Sequence, residues 1–171
     1  MKIKQVFILF VVCMITIHSF SQQSNNQDAF KGIIKFEEYE NLISKKDNTL
    51  YVVNFWASWC APCVEELPDF MEINQQFRHR KDFKMVLISL DNQSDLESTV
   101  RPFLKEHNIS SDVYLLDDIK RMNYWMPKVD RNWKGSIPAT VFYKNGKKLQ
   151  FIEKQLHQKE LLETINQFIS L

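Results

Sequence analysis

The sequence predicts an α/β domain in which a central mixed β-sheet is flanked by helices. Three observations carry that expectation. Apolar, β-branched runs at Leu50–Trp56 and Phe83–Leu90 alternate with segments whose apolar residues recur at helical spacing. The dipeptide Asn145-Gly146 lies between two further apolar runs and is the strongest short hairpin signal in the chain. The 171 residues, 44% of them apolar, suffice for one core and exclude wholesale disorder. Alternation that closes with a hairpin and a helix is the pattern of a mixed sheet.

Each element follows from local pattern. Phe36, Tyr39, Leu42 and Ile43 stand at helical spacing and predict a first helix ending near Lys46-Asp47-Asn48. Leu50–Trp56 reads as a buried strand. A helix over 61–77 then places Leu67, Phe70, Ile73 and Phe77 on one face, and Phe83–Leu90 is a second buried strand. Leu96, Val100, Phe103 and Leu104 mark another helix, which Pro102 must kink or divide. Val113–Leu116 reads as a short strand, and 117–136 as an irregular stretch rich in Trp, Met and Lys. Ala139–Tyr143 and Leu149–Ile152 form the hairpin, and Leu161, Leu162, Ile165, Phe168 and Ile169 stripe a final helix.

Composition excludes several functions. Three glycines (Gly32, Gly135 and Gly146) lie too far apart to build a phosphate-binding loop or a dinucleotide fingerprint. Three cysteines are too few for a disulfide-stapled scaffold, and a net charge of +1 does not describe a nucleic-acid binder.

The N-terminus differs from the rest. Lys2 and Lys4 precede an apolar run from Val6 to Ile17, followed by Ser19-Phe20-Ser21. This is the layout of a secretory signal peptide over 1–21, cleaved after Ser21, with an uncleaved membrane anchor as the alternative. Cys13 belongs to that apolar run. Without residues 1–21 the chain carries 20 Lys+Arg against 21 Asp+Glu and keeps two cysteines, in a compartment that export would make oxidising. Residues 22–29 are polar and read as a flexible lead-in, leaving 30–171 as the folded domain.

Those two cysteines carry the chemistry. In Asn54-Phe55-Trp56-Ala57-Ser58-Trp59-Cys60-Ala61-Pro62-Cys63 a buried strand ends and a helix opens on Cys-x-x-Cys. Free amides and the positive end of the helix dipole there lower the pKa of the first cysteine. A three-residue offset brings both sulfurs to one side of the first turn, within reach of a disulfide. Cys60 is expected to be the exposed sulfur and Cys63 the shielded one. Pro62 fits a first turn that needs no amide. Half of a zinc site has the same spacing, but no second cysteine pair follows, and His79, His107 and His157 are isolated. They read as surface residues, so no metal is expected.

This stretch resembles the thioredoxin superfamily and, within it, the TlpA/ResA-like branch of exported thiol–disulfide reductases. The likeness extends to Glu66-Leu67-Pro68 in the active-site helix and to Gly135-Ser136-Ile137-Pro138-Ala139-Thr140, similar to a loop whose cis-proline faces the cysteines. It covers about 30–171. It implies a thioredoxin fold with an inserted helix–strand unit at 94–116. Cys60, Cys63 and Glu66 become the expected catalytic residues, and Trp59, Ile137 and Pro138 the substrate-binding ones. Asn54 stands where many thioredoxins place a buried Asp, and Glu66 takes over as proton acceptor, its pKa raised by burial and by a nearby thiolate. Trp56 and Trp59 read as an apolar rim shielding the disulfide. Trp125 and Trp133 read as packing or covering aromatics in a segment that could overhang the site.

The implied activity is reduction of disulfides in exported proteins. It needs no cofactor beyond the Cys60–Cys63 disulfide and implies re-reduction by a membrane electron donor. Two other readings stay open: a thiol oxidase or isomerase, and a chaperone or metallochaperone that uses the fold as a binding module.

Overall fold

The computed structural model describes residues 28–171; the expected signal peptide and residues 22–27 of the lead-in lie outside the described residues. Although the sequence assigns Asp28 and Ala29 to that lead-in, both are tied into the fold. Asp28 Oδ1 accepts the Phe30 amide at 3.1 Å, Asp28 Oδ2 meets Arg101 Nη1 at 2.8 Å, and Ala29 O accepts the Val113 amide at 2.9 Å.

The described chain runs β1 (Phe30–Ile34), α1 (Phe36–Ile43), β2 (Leu50–Trp56), α2 (Ala61–Phe77), β3 (Phe83–Ser89), α3 (Arg101–Glu106) and β4 (Asp112–Leu116). It continues with α4 (Met122–Val129), β5 (Ala139–Lys144), β6 (Lys147–Ile152) and α5 (Gln158–Ile169). The strands form one six-stranded sheet in the order β1-β4-β3-β2-β5-β6. The β1–β4, β4–β3 and β3–β2 pairs are parallel, whereas β2–β5 and β5–β6 are antiparallel, so the sheet is mixed as expected.

β2 lies at the centre and is buried along its whole length. Its alternating side chains sort the core. Tyr51, Val53 and Phe55 pack with Phe36, Tyr39 and Trp125, under α1 and α4. Leu50 and Val52 pack with Phe70, Ile73, Leu161 and Ile165, under α2 and α5. Trp56 joins Cys60, Cys63, Leu67, Val100 and Leu104 at one end of that second face. Period-two alternation therefore buries both faces of the strand and aims its last residue at the helix that carries the cysteines.

Two elements escape the sequence pattern. β1 contains Lys31 and Gly32 and shows no apolar run; pairing with β4 creates it, with a register slip between Phe30 and Gly32. Residues 117–136 are irregular only at their two ends: a 3₁₀ turn at Ile119–Arg121 leads into α4, and the chain is irregular again over 130–136. Pro127 near the end of α4 masks it in the sequence, but tertiary packing of Trp125 and Val129 fixes it. Elsewhere pattern and structure agree to within a turn: α1 stops at Ile43, short of the Lys46-Asp47-Asn48 stop that the sequence suggests. A π-type turn at Leu96–Val100 runs directly into α3, with Pro102 in the first turn of α3; the backbone stays helical across the junction, so the expected break is a change of hydrogen-bond pattern. The β5–β6 turn places Asn145 at φ 53° and Gly146 at φ 70°, the left-handed pair of a tight hairpin. A Cβ on Gly146 would meet Ser44 O at 2.8 Å, so this position needs glycine on two grounds.

Candidate active site

β2 ends at Trp56, and the Ala57–Trp59 turn delivers the chain to the start of α2. Cys60 is the N-cap of that helix, with φ −91° and ψ 97°, and its carbonyl accepts the first helical bond from Val64 at 3.0 Å. The amides of Ala61 and Cys63 thus have no acceptor within the helix, and Pro62 presents none. Cys60 and Cys63 are joined in a disulfide with their Cα atoms 5.3 Å apart. Cys60 Sγ lies 3.6 Å from the carbonyl oxygen of Ile137, and the Ile137–Pro138 bond is cis. The two loops that the sequence singles out therefore meet at the disulfide.

Cys60, expected to be exposed, is buried, though less completely than Cys63. Cys63 is fully enclosed and Cys60 keeps only 6% exposure, because the Ile137 loop closes over it. Trp59 beside them is 68% exposed and forms the open rim. Trp56 does not belong to that rim. It is buried against Phe103, ring centroids 5.1 Å apart, because the pleat turns it toward α2 and α3. Its indole N–H has no partner among the described residues.

Glu66 follows Cys63 by one helical turn and is fully buried. Its Oε1 accepts Asn54 Nδ2 at 2.7 Å and its Oε2 accepts the Leu156 amide at 2.7 Å. Asn54 Nδ2 also reaches Thr140 Oγ1 at 3.1 Å across the β2–β5 pair. Burial pushes the Glu66 carboxyl up to about 7; the Leu156 and Asn54 donors pull the other way and the Asp69 charge adds a smaller push upward. A carboxyl that titrates there can take or give a proton at neutral pH. Glu65 beside it is exposed.

Of the two readings open for Trp125 and Trp133 the structure takes packing, and the three histidines lie on the surface as expected. Trp125 and Trp133 are buried and pack against Phe55 at ring-centroid distances of 6.2 and 4.9 Å, beneath the sheet face opposite α2. They buttress the core and do not overhang the disulfide. His79, His107 and His157 are exposed. The sequence reading missed Asp91. Its buried carboxylate accepts the Ser58 amide at 3.1 Å, the Ser58 hydroxyl at 2.6 Å and the Ser89 hydroxyl at 2.7 Å, pinning the turn before Cys60 to the end of β3. The available signal was Asp91 directly after an apolar strand, at the end of the sheet where α/β sites form.

A mixed sheet, a disulfide at a helix N-terminus and a cis-proline loop against it together define a thioredoxin-like domain with a redox dithiol. The profile of the AhpC/TSA family matches residues 19–152, and the chain belongs to that family. It is 28% identical over 98 residues to sporulation thiol-disulfide oxidoreductase A of Bacillus subtilis, a match covering 56% of this chain and 58% of that protein. It is 32% identical over 59 residues to thiol-disulfide oxidoreductase ResA of Oceanobacillus iheyensis, covering 34% of this chain and 29% of that one. The chain thus spans little more than half of the first relative and under a third of the second. A solved thiol:disulfide interchange protein of the thioredoxin family from Chlorobium tepidum superposes with a TM-score of 0.59 at 21% identity, covering 71% of this chain and 81% of that one, which establishes the shared fold.

Proposed function

We propose that the protein is an exported thiol–disulfide reductase that acts on disulfide-containing exported proteins. The observation that carries this reading is the Cys60–Cys63 disulfide at the N-terminus of α2, with Cys60 Sγ 3.6 Å from Ile137 O and a buried Glu66 one turn beyond Cys63.

In the reduced protein the Cys60 thiolate attacks one sulfur of a substrate disulfide. That S–S bond breaks, a mixed disulfide forms at Cys60, and the expelled thiolate takes a proton from solvent. The substrate backbone lies against Ile137–Pro138, with exposed Trp59 as apolar flank. The Cys63 thiol passes its proton to Glu66, and the resulting thiolate attacks Cys60 Sγ. The second substrate thiolate leaves and is protonated. The substrate gains two electrons and two protons, and the protein is left with the disulfide seen here. A membrane-held dithiol donor would return it to the reduced state. The signal-like segment at 1–21 supports an extracytoplasmic setting.

The reduced protein, supplied with dithiothreitol, should catalyse reduction of insulin disulfides. Cys60→Ser should abolish turnover, and Cys63→Ala should accumulate a mixed disulfide. Turnover that survives Cys60→Ser overturns the reading.

A further inference from the structure

Residues 134–136 are exposed, include Gly135 at φ 96°, and run straight into the cis Ile137–Pro138 bond. A short exposed segment of this kind gains order only from partners that hold it. Its chief partner is the carboxylate of Glu153, the residue following β6. Glu153 Oε1 accepts the Lys134 amide at 3.0 Å and the Ser136 amide at 3.0 Å, while Oε2 lies 3.1 Å from the Lys134 amide. From the other side the buried Trp133 indole donates to Ser136 O at 2.9 Å. That indole is itself fixed against Phe55, Trp125 and Phe151, with ring centroids 4.9, 5.6 and 5.7 Å away. Both clamps bear on Ser136, one residue before the Ile137 carbonyl that meets Cys60 Sγ.

We infer that Glu153 is a positioning residue for substrate: its carboxylate holds the 134–136 backbone so that the Ile137–Pro138 segment is pre-shaped for an extended polypeptide beside Cys60. The inference rests on the proposed docking of protein substrates at Ile137–Pro138. Glu153 touches neither sulfur and takes no part in the exchange itself. Its carboxylate oxygens replace water as acceptors for two amides and hold a flexible loop in one conformation. A loop already in its bound shape loses less entropy when a chain docks on it. A glutamine with its carbonyl in the place of Oε1 keeps the Ser136 bond but sets its NH2 group, a donor, about 3.1 Å from the Lys134 amide that Oε2 now accepts, so it replaces the carboxylate only in part.

The test compares Glu153→Ala, Glu153→Asp and Glu153→Gln with wild type on two substrates: insulin, which must dock along the loop, and a small aromatic disulfide, which needs only Cys60. Folding is checked by thermal unfolding. Glu153→Ala is expected to raise KM for insulin about tenfold, with kcat and the rate on the small disulfide within about twofold of wild type. Glu153→Gln, which keeps the Ser136 bond, should raise the KM for insulin less than Glu153→Ala does. Should Glu153→Ala fail to fold, Glu153→Asp, whose shorter side chain draws the acceptor back, is expected to show the same split at smaller size. An unchanged KM for insulin in the folded variants, or a parallel loss on both substrates, overturns the inference. Failure of wild type itself to reduce insulin would instead overturn the proposed function.

Discussion

The side-chain amide of Asn54 donates to Glu66 at 2.7 Å, tying the middle of the central strand to the second turn of the helix that carries the cysteines. With the Leu156 amide it opposes the burial that raises the Glu66 pKa to about 7. Asn54 stabilises the ionised form because its Nδ2 is a donor; its Oδ1 has no partner among the described residues. Asn54→Ala should therefore move the Glu66 pKa further up. The pH profile for release of a mixed disulfide by Cys63 should shift to higher pH accordingly. A profile that coincides with wild type would remove both residues from the proton-transfer step.

Glu66 also makes stability depend on pH. Its folded pKa lies above its ordinary value, so the folded state holds the proton more tightly than the unfolded state. The proton is bound in both states below about pH 4.5, where no penalty arises, and stability falls as pH rises from there through about 7. The loss amounts to about 3 kcal/mol by pH 8, the cost of an enclosed charge incompletely offset by two donors. Glu66→Gln should flatten this part of the curve. Carboxylates whose pKa values are lowered by partners, such as Glu37 beside Arg121, act in the opposite sense and only in acid. The difference between wild-type and Glu66→Gln urea unfolding at pH 5 and pH 8 isolates the Glu66 contribution; equal differences at the two pH values would contradict it.

Trp125 supplies a large share of the core on the face away from α2. It is wholly buried, stacks on Phe36 and Phe55, and gives its indole N–H to Asp118 O at 2.8 Å. Trp125→Ala should cost about 3–5 kcal/mol in denaturant unfolding, while the exchange chemistry of the molecules still folded is kept. A cost below about 1 kcal/mol would return this segment to the status of a surface cover.

The site was legible in the sequence where chemistry depends on near neighbours. Cys60, Cys63 and Glu66 share two turns of one helix, and the strand before them and the hairpin at Asn145-Gly146 are set by local pattern. What escaped depends on partners distant in the chain. β1 becomes a strand only beside β4, more than 80 residues on, and α4 holds its shape through Trp125 packing on β2. Asp91 is 33 residues from Ser58, and Glu153 is 17 from Ser136, so neither clamp has a local signature. Trp56 and Trp59 look alike in sequence and differ by three residues; the pleat and the turn send one inward and one out.

Asp91 offers a direct test of how firmly the Cys60 turn must be held. Its oxygens take two bonds from Ser58 and one from Ser89 in a buried setting. Asp91→Ala leaves those donors without acceptors and should lower stability by about 3 kcal/mol. It should also slow attack by Cys60 on a small disulfide several-fold, since the turn that sets Cys60 at the helix start is no longer fixed. Unchanged Cys60 reactivity in a destabilised but folded variant would leave Asp91 a purely structural residue.

The reduction potential decides between reductase and oxidant. A thiol pair oxidises others when its reduced form, with Cys60 as thiolate, is strongly stabilised, and reduces others when it is not. In this site Ala61 and Pro62 contribute no side-chain donor, and Pro62 removes one amide from the turn. The Ile137 carbonyl, 3.6 Å from Cys60 Sγ, presents its negative end to a thiolate. Glu66, with its pKa near 7, is partly ionised at neutral pH and opposes a second negative charge within the same two helical turns. All three push the balance toward the disulfide. Equilibration with glutathione or dithiothreitol buffers should give a potential of about −270 mV, in the range of thioredoxin. Replacing Pro62 with His adds a donor beside the thiolate and should raise the potential by several tens of mV. A wild-type value near about −120 mV would make the protein an oxidant and sink the reductase assignment.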